Sequence, residues 1–492
     1  MLLGPNPLRI LLVKPDISDT SVGFSSLARV PPLDLLTVAG TVPEHQVRIF
    51  DARLETEDGF VDCLRSYQPD VVGMTAYSAE AERAREMCQI AKSVCDGIVV
   101  IQGGYHATMD PADALSDPAI DFLVRYEAER TFPELLRTLQ NGADYSAIAG
   151  IGYVRNDRVC LSPRQAPLEN LDEAPFPRWD LVAQYQDQYY LNVLGQVATV
   201  ETTRGCPYDC SFCSVWVFHD RRYRKKTVGR ILKEIECLPR SDFVAFVDDE
   251  FWVDAPRSME LADQLIAKQR DSSSQPTRYF AQVRTSDIYR TPDLVARWSQ
   301  AGMKVLLLGI ESHKQDEVRS LHNKRATLKH AAVALATMRN HGIEAWGCFI
   351  VNPDWVEQDF DDLATYVNDQ KIAFPQFTVL TPLPGTVLTE RLVKKGLLHW
   401  PDVALPLLDF LHAAIPTRLP LSRFYEKLAE LYAQTSMERN SQMVKRAMRN
   451  NVINREWLKS TTGREARAGF AKLQQASEYL RAHRGFSSGV DQ

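Results

Sequence analysis

Residues 202–216 read TTRGCPYDCSFCSVW and place Cys206, Cys210 and Cys213 within eight positions. The stretch follows an apolar run, QVATV from Gln196, so the three thiols sit on the loop that leaves a strand. Thiolate is the preferred ligand of iron–sulfur clusters, and this spacing lets one loop wrap one corner of a cube. A zinc site and coincidence are the competing readings. A structural zinc wants four ligands. No fourth cysteine or histidine stands at close spacing, and His219 is the nearest. Three thiolates on a four-iron cube leave one iron open to a substrate or cosubstrate.

Outward from this loop, strands and helices alternate. The apolar runs are QVATVETTRG, DFVAFVDDE, RYFAQVRT, KVLLLGIES, EAWGCFIVN and QFTVLTPLPGT, with helical stretches such as KTVGRILKEIECL between them. Six such units predict a partial (β/α)6 barrel over residues 196–400, its site at the strands' carboxyl ends. The second strand ends in Asp248-Asp249-Glu250, and the third carries Gln282 and Arg284. The fourth ends in Gly309-Ile310-Glu311-Ser312, and the sixth leads into Pro382-Leu383-Pro384-Gly385-Thr386. Three acids at the mouth of a parallel barrel read as working carboxylates rather than a solvated strand end. Arg284 and Glu311 read either as ligand-holding groups or as a structural ion pair. The Pro-Gly turn reads equally as a rigid turn.

Residues 1–140 predict a second α/β unit. The runs LRILLV, QVRIF, DVVGMTAY, GIVVIQGG and DFLVRY alternate with amphipathic stretches such as ERAREMCQIAKSV. This pattern makes a doubly wound, mostly parallel sheet, with ligands at the strands' carboxyl ends. No G-x-G-x-x-G follows the first strand, which speaks against a dinucleotide. Residues 141–195 predict a surface linker with a small hairpin turning on Asn156-Asp157. Residues 401–492 predict a helical region, clearest in LSRFYEKLAELYAQ. The expected class is therefore α/β throughout, with a helical end.

Composition narrows the setting. The 492 residues imply two or three domains, and 45% hydrophobic with 24% charged residues is ordinary for a globular protein. A net charge of -6 carries no nucleic-acid footprint. No apolar run reaches a membrane span, and the start lacks the pattern of a signal peptide. Nine cysteines, an odd count, argue against a disulfide framework and for the cytoplasm. The six scattered ones, Cys63, Cys88, Cys95, Cys160, Cys237 and Cys348, read as small core residues.

The CxxxCxxC loop after the first strand of an α/β region resembles the radical S-adenosylmethionine superfamily, and Phe212 fits its aromatic position. The resemblance implies a 4Fe–4S cluster on Cys206, Cys210 and Cys213. It implies an open iron that binds the amino and carboxylate groups of S-adenosylmethionine, and a 5′-deoxyadenosyl radical after one-electron cleavage. Where the superfamily has Gly-Gly-Glu for the methionine amine, this chain offers Asp249 or Glu250. Gln282 falls on the next strand, Arg284 and Glu311 are candidates for the carboxylate and the ribose, and Lys324 and Thr327 follow downstream.

The stretches PPLDLLTVAG, VRIFDA, QGGYHAT and VRYEAERTFPELL make residues 8–140 resemble a cobalamin-binding domain. That resemblance implies backbone at Gly103 and Gly104 close to the corrin. His106 is either a corrin contact or a plain loop histidine. The Asp-x-His-x-x-Gly motif is absent. Asp16-Ile17-Ser18-Asp19 stands in its place, so no axial imidazole comes from there. The usual Gly-Glu-Gly-Glu reads Tyr126-Glu127-Ala128-Glu129.

Closer similarity is to the hopanoid C-3 methylase group, on RGCPYDCSFCSVWVFHDRRYR, on Asn352-Pro353-Asp354-Trp355 and on LLDFLHAAIPTRLPLSRFY from Leu407. Bacteriochlorophyll side-chain methylases are relatives of that group. The implied reaction is radical methylation of an unactivated carbon through methylcobalamin. The alternatives are methylation of a tetrapyrrole side chain and an oxidative cyclisation without methyl transfer. Implied partners are an apolar small molecule and an electron donor such as flavodoxin or ferredoxin. Lys445, Arg446 and Arg449 read as a solvated face or as a peripheral contact with anionic lipid of the inner membrane.

Overall fold

The computed structural model describes the chain except residues 1, 2, 5, 6, 18–26, 272–276, 322–325, 401, 437–440 and 487–492. Two compact units result. One takes Met1–Asp19, Pro32–Gln186 and Ala404–Leu408; the other takes Thr20–Pro31, Asp187–Val403 and Asp409–Gln492.

The first unit is built on β1 (Arg9–Lys14), β2 (Gln46–Asp51), β3 (Val71–Thr75), β4 (Val99–Gly103), β5 (Phe122–Val124), β6 (Ile151–Arg155) and β7 (Arg158–Leu161). Their order is β2-β1-β3-β4-β5-β6-β7, parallel through β5 and antiparallel beyond it. β1 is buried from Ile10 to Lys14, as a strand covered on both faces must be. Leu11, Val13, Val72, Met74 and Val100 pack on one face against Phe60, Leu64, Met87 and Cys88 of two helices. Strand order reverses between β1 and β3, the crevice where sheets of this order take their ligand.

The hairpin turns at Asn156-Asp157 with φ of 51° and 58°, the left-handed pair of a type I′ turn. It differs from a surface linker in one respect: it extends the first sheet by two strands. The segment after it buries Leu168, Leu171, Ala174, Trp179, Val182 and Tyr185, so these residues are core rather than connector.

The second unit holds β8 (Gly195–Val200), β9 (Phe243–Phe246), β10 (Arg278–Val283), β11 (Met303–Glu311), β12 (Glu344–Val351) and β13 (Phe374–Val379). All six run parallel in the order β13-β12-β11-β10-β9-β8. Tyr190–Leu191 and Ala28–Arg29 continue the sheet antiparallel beyond β8. The barrel stays open, and the C-terminal region covers its free edge. The Tyr432 hydroxyl donates to the Phe377 carbonyl at 2.7 Å and accepts from the Phe377 N–H at 3.2 Å. The Val379 N–H donates to the Phe410 carbonyl at 2.7 Å. An open strand edge is thereby satisfied.

The region beyond residue 400 is no separate domain. Phe424, Tyr425, Leu428, Tyr432, Leu473 and Tyr479 share one core with Trp298, Phe349 and Phe377. Leu405–Leu407 instead packs in the first unit against Ser78–Glu80 and the helix Ala81–Val94. Arg446 is not a lipid-facing cation, because its guanidinium is bound to buried Glu344 at 2.7 Å and to the Lys371 carbonyl at 3.0 Å. Asn352 and Trp355 of the Asn-Pro-Asp-Trp stretch donate to Glu317 at 3.4 and 2.7 Å, tying the end of β12 to the segment after β11. Of the scattered cysteines only Cys88 is buried; Cys63, Cys95, Cys160 and Cys348 are half-buried and Cys237 is exposed.

Candidate active site

The three-cysteine loop begins at a backbone position that only glycine tolerates. Gly205 has φ of 84°, and a Cβ there would lie 2.0 Å from the Arg222 carbonyl oxygen. Asp248, at the end of β9, holds the approach to the loop. Its carboxylate accepts from the Thr202 N–H at 2.7 Å, from the Thr202 and Thr203 hydroxyls at 3.0 and 2.8 Å, and from the Thr203 N–H. Burial pushes this carboxyl up to about 6, against the pull of its threonine donors and Arg257. Asp249 accepts from the Gly205 N–H at 3.1 Å. Two of the three acids at this strand end therefore secure the loop.

Inside the loop, the Cys213 N–H and the Trp216 indole both donate to the Cys210 carbonyl, at 3.1 and 2.9 Å. The Leu388 N–H donates to the Ser211 carbonyl at 2.8 Å, which anchors the loop to the helix Val387–Lys394 after the Pro-Gly turn. Phe212 packs against Ile350, Leu380, Leu388, Leu392 and Leu398. Burial pushes the Cys206 and Cys213 thiols up to about 12, and Cys213 is raised further by Cys210 and Cys206 beside it. Such thiols ionise only with a metal to neutralise them. Among the described residues, no three His, Cys, Asp or Glu converge on a point that a single ion would fill. A four-iron cube gives each thiolate its own iron. His219 is buried, with Nδ1 3.4 Å from the Arg224 guanidinium.

Arg284 brings β10 to the loop. Its Nη1 donates to Cys210 Sγ at 3.7 Å, and its guanidinium lies 3.6 Å from the centroid of the Tyr208 ring. Its backbone N–H donates to Glu250 at 3.2 Å. Burial, and then the charge of Asp287, push the Glu250 carboxyl well above the usual carboxylate range. Asp287 is itself buried and accepts from the Tyr208 hydroxyl at 3.3 Å and from Arg290. Gln282 is exposed and donates to the Asp249 carbonyl at 3.2 Å.

Glu311 ends β11 with φ of 71°, beside a register shift after Gly309. A non-glycine residue held there costs roughly 1–3 kcal/mol and marks a constrained position. Thr327 caps the helix Leu328–Asn340, and Lys324 lies outside the described residues. Tyr208 and Asp287 carry no motif that sequence reading would single out. Their one signal is position, two residues past Cys206 and three past Arg284.

In the first unit, Gly104 has φ of 91°, and a Cβ there would meet Thr75 Oγ1 at 2.8 Å and Ala76 N at 2.9 Å. Its lack of a side chain is thus used against β3. Gly103 is ordinary in φ, with the Val124 carbonyl 3.5 Å from a notional Cβ. His106 is not a loop residue but lies in the helix Gly104–Met109 at 0% exposure. Asp113 lies 2.9 Å from its Nε2 and Ser78 Oγ 3.4 Å from its Nδ1. A ring so enclosed has no face for a corrin. What the carboxyl ends do expose is Tyr77, stacked on Tyr105 with centroids 5.6 Å apart, over the buried Lys14–Glu80 ion pair of 2.5 Å. Of the Asp16–Asp19 stretch, Ser18 and Asp19 lie outside the described residues.

A half barrel with a three-thiol loop and a sheet of the flavodoxin-like order define a two-unit metalloenzyme class. Residues 20–136 match the B12 binding domain and residues 200–367 the radical SAM superfamily. An uncharacterized methyltransferase of Pyrococcus horikoshii is 30% identical over 405 residues, covering 80% of this chain and 84% of its own length. The hopanoid C-3 methylase of Methylococcus capsulatus is 29% identical over 411 residues, covering 82% and 76%. The anaerobic magnesium-protoporphyrin IX monomethyl ester cyclase of Rubrivivax gelatinosus is 28% identical over 402 residues, covering 79% and 70%. The fold matches the radical S-adenosylmethionine methyltransferase TsrM of Kitasatospora setae, solved with cobalamin and a [4Fe-4S] cluster, at TM-score 0.68 and 14% identity, over 98% of this chain and 100% of that one. The chain belongs to the cobalamin-dependent radical S-adenosylmethionine methyltransferase family.

Its cofactors are a 4Fe–4S cluster, S-adenosylmethionine and cobalamin. The donor set fits the cluster: three thiols in one rigid loop, a cation on one sulfur, and buried carboxyls beside them. The first unit fits a corrinoid near its strand-order reversal, where exposed Tyr77 follows β3 and the nearby histidine is enclosed.

Proposed function

We propose that the enzyme transfers a methyl group to an unactivated carbon of an apolar, hopanoid-like lipid. One observation carries this reading. The hopanoid C-3 methylase is similar at 29% identity over 411 residues, slightly ahead of the cyclase at 28% over 402. Together the cofactors supply radical chemistry for a carbon that has no acidity of its own.

In this reading Cys206, Cys210 and Cys213 hold the cluster. Glu250 or Asp249 takes the methionine ammonium, Arg284 its carboxylate and Glu311 the ribose, with Gln282 at the rim. Phe212 keeps the loop seated from its apolar side. Gly103 and Gly104 form the corrin-facing turn of the first unit. A flavodoxin or ferredoxin supplies electrons in the cytoplasm. No helix among the described residues is long and apolar enough to cross a membrane.

The cyclase similarity supports a second reading, in which a tetrapyrrole is the substrate and cyclisation needs no methyl transfer. Anaerobic reconstitution with cobalamin, followed by mass analysis of hopanoids and chlorins, decides between them. A methylated hopanoid with S-adenosylhomocysteine supports the first. Deoxyadenosine without S-adenosylhomocysteine, on a chlorin, overturns it.

A further inference from the structure

Arg284 is nine-tenths buried, and a guanidinium keeps its charge when buried, so it is costly there without a negative partner. Among the described residues no carboxylate lies within ion-pair distance of it, and its Nε is buried with no acceptor. Among the described residues, the one hydrogen-bond acceptor of its side chain is Cys210 Sγ at 3.7 Å. The other side of the fork is pressed on the Tyr208 ring, 3.6 Å from the centroid. Tyr208 lies between Cys206 and Cys210 and is held by its hydroxyl to Asp287 at 3.3 Å. Loop and strand thus aim one cation at one cluster ligand.

We propose that Arg284, clamped on Tyr208, is a positioning residue that tunes the cluster: its N–H···S bond and charge on Cys210 raise the cluster's reduction potential. The proposal rests on the cluster reading of the three cysteines. The physical reason is general. The reduced cluster is more negative than the oxidised one, so a fixed cation and a donor to sulfur favour reduction. The couple exchanges one electron and breaks no bond. The structure assigns this effect to the free cluster, before any cosubstrate binds.

The test uses the full chain, reconstituted anaerobically, with iron and sulfide counted per protein. The midpoint potential is read by electron paramagnetic resonance during titration with a low-potential chemical reductant, first without S-adenosylmethionine. Arg284→Met shifts the midpoint to more negative values at wild-type iron content. Arg284→Lys keeps the charge without the planar fork and falls between; it carries the test if Arg284→Met assembles poorly. Tyr208→Leu, which removes the clamp, shifts the midpoint the same way. Unchanged midpoints in loaded Arg284→Lys and Tyr208→Leu overturn the proposal. So does an Arg284→Met protein whose only defect is weaker S-adenosylmethionine binding. Absence of iron from the wild-type protein after reconstitution instead overturns the cluster reading itself.

Discussion

Both units end their parallel strands in loops that serve a cofactor, yet they do it with different means. At the carboxyl ends of β8 to β10, particular side chains dominate: three half-buried cysteines with buried Asp248, Glu250, Asp287 and Arg284. At the ends of β1, β3 and β4, charged side chains pair internally, as in Lys14–Glu80 and His106–Asp113, and the exposed feature is Tyr77, stacked on half-buried Tyr105. The lesson is chemical. A cluster is held by covalent donors, which must be particular residues at particular spacings. A corrinoid held by backbone shape and aromatic surface needs few obligatory side chains.

That contrast is open to attack, beginning with the largest effect. Cys206→Ala abolishes cluster loading and S-adenosylmethionine cleavage while leaving cobalamin binding intact, as read from iron content and corrin absorbance on one sample. Loss of both cofactors together would break the comparison. Asp248→Ala orphans the threonine donors at the loop entrance and costs about 3 kcal/mol, measured by chemical unfolding.

The same carboxyl makes a pH prediction. Its folded value is raised from 3.8 to about 6, so the folded state holds that proton longer than the unfolded chain does. Its contribution is therefore fully present below 3.8 and declines as pH rises through about 6. Asp248→Ala flattens the stability profile in that window, and a steeper profile would count against the assignment.

Smaller effects test the other unit. Gly104→Ala puts a Cβ against Thr75 and Ala76 in a left-handed backbone and costs about 2 kcal/mol in thermal unfolding, with lowered cobalamin retention. Tyr77→Ala, at an exposed position, changes stability by less than about 0.5 kcal/mol yet weakens cobalamin retention. Unchanged retention would move the corrin contact elsewhere on the sheet.

Legibility followed the same division. Cys206, Cys210 and Cys213 were readable because their relation is local, one loop and eight residues. The six-strand barrel was readable because short, mainly apolar runs alternate with helical stretches along the chain. The roles of Asp248, Asp249 and Glu250 were not, because neighbouring residues at a strand end face different directions. Chain order alone does not say that Asp248 turns to Thr202 and Thr203 while Glu250 turns to Arg284. His106 misled for a related reason: a histidine after a glycine pair looks like a loop ligand until the helix Gly104–Met109 encloses it.

By itself, then, the sequence determined the α/β class, the strand inventory and the three thiols of the cluster, since each depends on composition and spacing along a short stretch. Tertiary structure alone decided that Asp248 is a staple, that Tyr208, Asp287 and Arg284 meet around Cys210, and that the C-terminal helices complete an open barrel. Those facts join residues far apart in the chain, and only packing sets which of many available partners each buried polar group finds.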